Sequence, residues 1–101
     1  MMRNGLTQHT FKQIINVFIK DPKVEEVILF GSRAMGNFRE GSDIDLALKG
    51  KDLDMDALLK LSATLDELDL PYHFDLLLFE KIGNTDLLDH ICKVGQTIYK
   101  S

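Results

Sequence analysis

Three aspartates stand where strands usually exclude them. Asp43 and Asp45 flank Ile44 at the head of the apolar run IDLAL, and Asp75 lies inside HFDLLLF, although Asp is disfavoured in strand interiors. Side chains two residues apart on a strand project the same way. Asp43 and Asp45 can therefore offer oxygens to shared cations, and Asp75 can complete the cluster from a neighbouring strand. Carboxylates held so close repel and raise each other's proton affinity unless a cation neutralises them. Mg²⁺ suits this donor set, because it prefers octahedral oxygen coordination and shares its sites among carboxylates, waters and phosphate oxygens. With two ions, one can activate an attacking oxygen while the other supports a leaving pyrophosphate. That arrangement suits phosphoryl transfer.

Upstream, Gly31-Ser32 closes the β-rich run VEEVILF and opens a helical turn. Unpaired backbone N–H groups point outward there, and glycine lets a phosphate approach the chain. Ser32 adds a hydroxyl donor. Arg33 can give its guanidinium to the phosphates, or it can brace the loop through a carboxylate such as Asp43 or Glu40; the sequence leaves both roles open. A lone Asp-X-Asp is weak evidence, since turns and exposed edge strands produce it often. The Gly-Ser turn, the fixed spacing and the third strand Asp are what favour a metal site. Helix capping by Ser32 is the plain alternative to phosphate contact, and the two are compatible.

The remaining polar residues offer less. His9, His73 and His90 fall in different elements without metal-ligand spacing and read as surface or satisfied core groups. His73 alone would share a strand face with Asp75. The charged run KGKDLDMD, residues 49–56, reads as a solvated loop and helix start.

The elements that must hold these groups follow from periodicity. Phe11, Ile14, Ile15, Phe18 and Ile19 mark a helix after an N-cap at Thr7, stopped by Asp21-Pro22. Residues 24–30 form a strand, Ser32 to Met35 a short helical turn before Gly36, and Asp43 to Leu48 a second strand. A helix over 54–68, capped by Asp54, leads through Leu70-Pro71 to a strand from His73 to Phe79. The last helix runs from about Asn84 to Lys93 and closes at Gly95. The order α, β, short α, β, α, β, α predicts an α/β (α+β) fold, with helices packed on a small mixed sheet.

Composition sets the outer bounds. A chain of 101 residues with 45% hydrophobic and 28% charged residues is expected to form one domain over residues 1–101. Such a domain buries roughly two thirds of the surface of its unfolded chain, which leaves little material for a deep pocket. The net charge of -4 argues against strong nucleic-acid binding, yet is neutral towards a nucleotide that arrives with divalent metal. Cys92 is the only cysteine, so neither an internal disulfide nor a Cys-rich zinc site is expected. The opening MMRNGLTQHT lacks a signal-peptide core and no run spans a bilayer, so the expected location is cytoplasmic, with no membrane association.

Gly31-Ser32, ten intervening residues, then Asp43-Ile44-Asp45 resembles the signature of the DNA polymerase β-like nucleotidyltransferase superfamily. GSRAMG followed by SDIDLAL is similar to its smallest branch, the minimal nucleotidyltransferase (MNT) proteins. In that branch a later strand Asp is expected, and Asp75 in FDLLLF fits. The order VILFGSRAMG, SDIDLAL, FDLLLF and ICKVGQTIY carries the resemblance along nearly the whole chain. Met35 departs from the Arg common at its position, removing one phosphate-side cation without touching the metal ligands.

The resemblance implies a polymerase β-like fold, ATP as substrate and two Mg²⁺ ions, which Mn²⁺ can replace, on Asp43, Asp45 and Asp75. It also implies phosphate contacts from Gly31 and Ser32, with Arg33 beside them. MNT proteins are commonly antitoxins paired with an all-helical HEPN toxin, and several transfer AMP to a tyrosine of that partner. A hetero-oligomer or a homodimer would cover the open cleft. Two other functions remain: a binding-only antitoxin that neutralises its partner by occlusion, and nucleotidyl transfer to a small molecule with a partner subunit completing the site.

Overall fold

The computed structural model describes residues 5–39 and 41–101. Its frame is a four-stranded sheet in the order β3-β2-β1-β4, built from β1 (Glu26–Phe30), β2 (Ile44–Lys49), β3 (Phe74–Leu78) and β4 (Gln96–Lys100). The helices are α1 (Gln8–Ile19), α2 (Ser32–Met35), α3 (Met55–Asp66) and α4 (Thr85–Val94). Strand β1 runs antiparallel to both β2 and β4, while β2 and β3 are parallel. The sheet is therefore mixed, as the alternating order of elements predicts.

Each strand sends alternate side chains to opposite faces. Val27 and Leu29, then Ile44, Leu46 and Leu48, then Phe74, Leu76 and Leu78 enter one core with Ile14, Val17 and Phe18 of α1 and Ala57, Leu58, Leu61 and Leu65 of α3. The other face is thinner: Ile28, Phe30 and Ala47 pack with Ile91 of α4. One face of the sheet is thus fully covered, and the other only in part.

Local signals account for the boundaries. Thr7 accepts from the Thr10 backbone N–H and starts α1. Asp54 accepts from Ala57 at 2.8 Å and starts α3. Asn84 accepts from the N–H groups of Asp86 and Leu87 and starts α4. Expected and observed elements agree within one or two residues at most ends. The first strand is shorter than expected, because Val24 bonds back to Asp21 in a turn before β1 begins. Helix α3 stops at Asp66, short of the expected residue 68.

Two elements differ from the expected order. A single 3-10 turn, Phe79–Lys81, follows β3. The edge strand β4 was not expected after the last helix. Its register against β1 shifts between Val27 and Ile28, which pair with Tyr99 and Thr97 respectively. The intervening Ile98 is bulged, and Ile98 and Tyr99 both lean on the main core. A bulge breaks strict alternation, which removes the period-2 signal from QTIYK. Among the described residues no helix is long and apolar enough to cross a membrane.

Candidate active site

The thin face of the sheet has an open end, where β1 finishes and β2 and β3 begin. Asp45 lies opposite Phe30 on one side and opposite Asp75 on the other. Paired positions project to the same face of a sheet, so Asp45 and Asp75 are neighbours across the parallel ladder. Asp43 precedes β2 by one residue and lies two residues from Asp45. Asp43 and Asp75 are exposed and Asp45 is half-buried. The three aspartates expected to cooperate are therefore brought to one end of one face.

Their mutual field is felt most at Asp45. Its carboxyl is pushed above its ordinary value, first by burial, then by the charges of Asp75 and Asp43, with His90 pulling in the opposite direction. Burial and like charges both oppose ionisation. A divalent cation would remove that opposition, and oxygen-only donors on an open patch suit Mg²⁺. Among the described residues no three Asp, Glu, His or Cys side chains stand as a ready-made cation cage. The donor set fits an ion that takes its remaining oxygens from water and phosphate, rather than one enclosed by protein.

The turn beside the carboxylates is tightly specified. Gly31 has φ 77° and ψ -158°, a region that side-chain-bearing residues avoid. A Cβ on Gly31 would also collide with the Asp45 carboxylate. Glycine is required both by the backbone and by the approach of Asp45. Gly31 provides no side-chain cap for α2, and Ser32 is the first residue of that helix rather than its cap. The α2 turn closes through Met35 N–H to Gly31 O at 3.1 Å and Gly36 N–H to Ser32 O at 3.0 Å. The N–H groups of its first residues have no partner within the helix, as at any helix start.

Arg33 is 2% exposed. Its guanidinium lies between two rings, 4.9 Å from the centre of Phe38 and 4.8 Å from that of Tyr72. Its Nε donates to the Ser42 carbonyl at 3.1 Å. The side chain thus ties α2 to the residue before Asp43 and to Tyr72, which lies ahead of β3. Of its two expected carboxylate partners, Glu40 lies outside the described residues. Met35, on the same short helix, is 52% exposed.

Of the histidines, His73 is exposed ahead of β3, and its carbonyl accepts from Ile44 N–H. His9 is exposed on α1. His90 is the residue that sequence reasoning missed. Its Nε2 accepts the Gly31 backbone N–H at 3.1 Å, and its ring meets Phe30 edge-on with centroids 6.2 Å apart. The available signal was helical spacing, since His90 lies three residues after Leu87 and next to Ile91, both on the face that packs against the sheet.

Two apolar clefts are lined by other residues. One, of about 380 Å³, is lined by Met55, Leu77, Ile82 and Leu87 among others. The other, about 570 Å³, lies between α1 and Ile98 of β4. Neither cleft is lined by Asp43, Asp45 or Asp75, and Asp43 and Asp75 are exposed to solvent.

Comparison with known proteins places this geometry in context. A family model described as polymerase beta, nucleotidyltransferase matches residues 12–101. No curated protein gives a significant match. Among solved structures, a toxin–antitoxin complex with AMP-PNP contains a similar chain, 29% identical, with a TM-score of 0.72; the match covers 90% of the present chain and 73% of the other. A tri-AMPylated Shewanella oneidensis HEPN toxin in complex with its MNT antitoxin gives 26% identity and a TM-score of 0.70 over 99% and 74% of the two chains. The toxin–antitoxin MntA-HepT gives 26% and 0.69 over 94% and 74%.

Proposed function

The chain belongs to the polymerase β nucleotidyltransferase family, and from that premise we propose that it transfers AMP from ATP to a tyrosine hydroxyl of a HEPN-type partner. Nucleotidyl transfer is the activity of the family. The choice of AMP and of a protein acceptor rests on two similar structures, one with AMP-PNP and one with an AMPylated HEPN toxin. The observation that carries the reading in this chain is the pairing of Asp45 with Asp75 across adjacent strands, beside the Gly31-Ser32 turn.

In this reading Asp43, Asp45 and Asp75 would hold two divalent cations. When bound, Mg²⁺ supplies positive charge to the triphosphate and to the attacking and leaving oxygens. The turn at Gly31 and Ser32 receives the phosphates through backbone N–H groups and the Ser32 hydroxyl. The acceptor oxygen forms a bond to the α-phosphorus as the bond to the bridging oxygen breaks. Pyrophosphate departs, and Asp75 takes the hydroxyl proton. Arg33 acts from behind this surface: buried between Phe38 and Tyr72, it braces the segments that carry Asp43 and Asp75. An open patch is consistent with an acceptor that arrives on another protein, which then excludes water from the site.

The test is transfer of labelled AMP from ATP with Mg²⁺ to the adjacent gene's product, comparing wild type with the double variant Asp43→Asn/Asp45→Asn. Label on the partner with wild type alone is the expected result. Undiminished transfer by the double variant would sink the reading. Met35, exposed where the family pattern has Arg, favours one other reading, a binding-only antitoxin that occludes its partner. Inhibition of the partner that survives the double substitution, with no transfer by wild type, would select it.

A further inference from the structure

The Gly31 peptide joins β1 to the turn that faces the carboxylates. Its φ and ψ lie in a region open essentially to glycine alone, and the β1–β2 ladder has its last pair at Phe30–Asp45. The Gly31 N–H is held from the helix that packs on the same face of the sheet: the imidazole of His90, on α4, accepts it at 3.1 Å in a partly buried position. An acceptor at Nε2 requires the ring proton to sit on Nδ1.

The ring itself is well fixed. Its neighbour Ile91 is 3% exposed and packs with Ile28, Phe30 and Ala47. The ring also meets Phe30 at an interplanar angle of 80°. Helix α4 is capped by Asn84 at its start, and at its end Gly95 N–H bonds to Ile91 O at 2.8 Å before the chain enters β4. His90 therefore stands on a helix capped at its start and anchored through Ile91, and reaches the backbone N–H at which β1 passes into the Gly31-Ser32 turn.

We propose that His90 is a positioning residue for nucleotidyl transfer: by accepting the Gly31 N–H it locks the turn in the orientation that presents Ser32 and its backbone N–H to the nucleotide phosphates beside Asp45. This rests on the reading of that turn as the phosphate holder. His90 touches neither the reacting atoms nor the cations in this role. Its effect passes through Gly31, so it falls mainly on nucleotide binding and on KM for ATP. It falls less on kcat once substrate saturates the site.

Three variants of the full chain separate positioning from mere packing. Gln carries its side-chain oxygen the same number of bonds from Cβ as the His Nε2, so His90→Gln keeps an acceptor within reach. Asn is one bond shorter, and Ala has none. Binding of Mg²⁺·AMP-PNP is measured by calorimetry, KM and kcat by labelled AMP transfer, and exchange of the Gly31 amide by ¹⁵N NMR. His90→Ala and His90→Asn are expected to lose protection of the Gly31 amide and to bind nucleotide roughly 3- to 10-fold more weakly, the worth of one ordinary hydrogen bond. His90→Gln is expected to restore both. If His90→Ala does not fold, the Gln and Asn variants carry the comparison.

Wild-type affinity in His90→Ala or His90→Asn, with the Gly31 amide exposed, would overturn the proposal while leaving the functional reading intact. So would equal impairment of His90→Gln and His90→Asn. A wild-type chain that binds no Mg²⁺·AMP-PNP at all would overturn the functional reading, and this inference with it.

Discussion

Replacing Asp45 by Asn should make the metal-free protein more stable, although Asp45 is central to the proposed chemistry. The Asp45 carboxyl is pushed above its ordinary value of 3.8 by burial, by Asp75 and by Asp43. Directly paired side chains on neighbouring strands stand about 5 Å apart at Cβ. Two unit charges at about 5 Å repel by about 1 kcal/mol at the dielectric of water and about 3 kcal/mol at an effective dielectric of 20. Asp75 is exposed and Asp45 only half-buried, so screening favours the lower figure. A net gain of about 1 kcal/mol corresponds to a rise in Tm of roughly 4–8 °C for a domain of this size. The sign also fixes the pH dependence. A carboxyl with a raised folded-state pKa contributes stability that is fully present below its unfolded value and is lost as pH rises through the folded value. The advantage of Asp45→Asn should therefore be largest near pH 7 and vanish near pH 3–4, a window read from the direction of the shift. Thermal unfolding in EDTA and in Mg²⁺, at several pH values, is the assay. Mg²⁺ should raise the Tm of wild type more than that of the variant. An Asp45→Asn protein that is less stable than wild type in EDTA at pH 7, or a difference that does not change with pH, would refute the electrostatic reasoning.

Other substitutions probe the frame around the carboxylates. Gly31→Ala should cost at least about 1–3 kcal/mol in urea denaturation from backbone strain, and should abolish AMP transfer because its Cβ displaces Asp45; near-wild-type stability would contradict the geometry at the turn. Arg33→Lys keeps the charge but loses the planar group between Phe38 and Tyr72 and the Nε–H to Ser42, so a loss of about 2–4 kcal/mol is expected. Equal stability of Lys and Arg at that position would show that charge alone suffices. Asp54→Ala removes the α3 cap and should cost about 1 kcal/mol without changing AMP transfer; a matching loss of activity would mean that α3 acts on the site.

Much of the site is legible because its residues break local rules. Aspartates inside apolar strands, and a Gly-Ser pair at the end of one, conflict with strand propensity, and all fall at one end of the sheet. Capping chemistry at Thr7 and Asp54 made the starts of α1 and α3 equally readable, whereas the cap at Asn84 emerged only from the structure. What the sequence concealed was tertiary. The identity of β4 depends on a bulge at Ile98 and on pairing with the distant β1, neither of which leaves an alternating pattern in QTIYK. His90 has no motif, because its partner is a backbone N–H 59 residues away. The role of Arg33 could not be chosen from sequence, since an arginine beside a phosphate turn and an arginine bracing that turn need the same spacing. Burial favours the brace.

Topology explains why so short a chain can assemble such a site. Because β1 is antiparallel to β2, the end of β1 meets the start of β2, and the Gly31 turn falls beside Asp45 without a long connection. Because β3 returns parallel to β2 through α3, its start lies at the same end, and Asp75 falls opposite Asp45. Three strand termini thus converge while the main core, on the opposite face, supplies the stability. The thin face can then remain open over its carboxylates, with α4 covering only the part that Ile28, Phe30 and Ala47 require. His90 lies where that partial cover meets the open end. The helix that completes the small core thus also carries the acceptor for the Gly31 N–H; if that turn holds the nucleotide phosphates as proposed, a change in α4 packing should alter nucleotide affinity before it alters the fold.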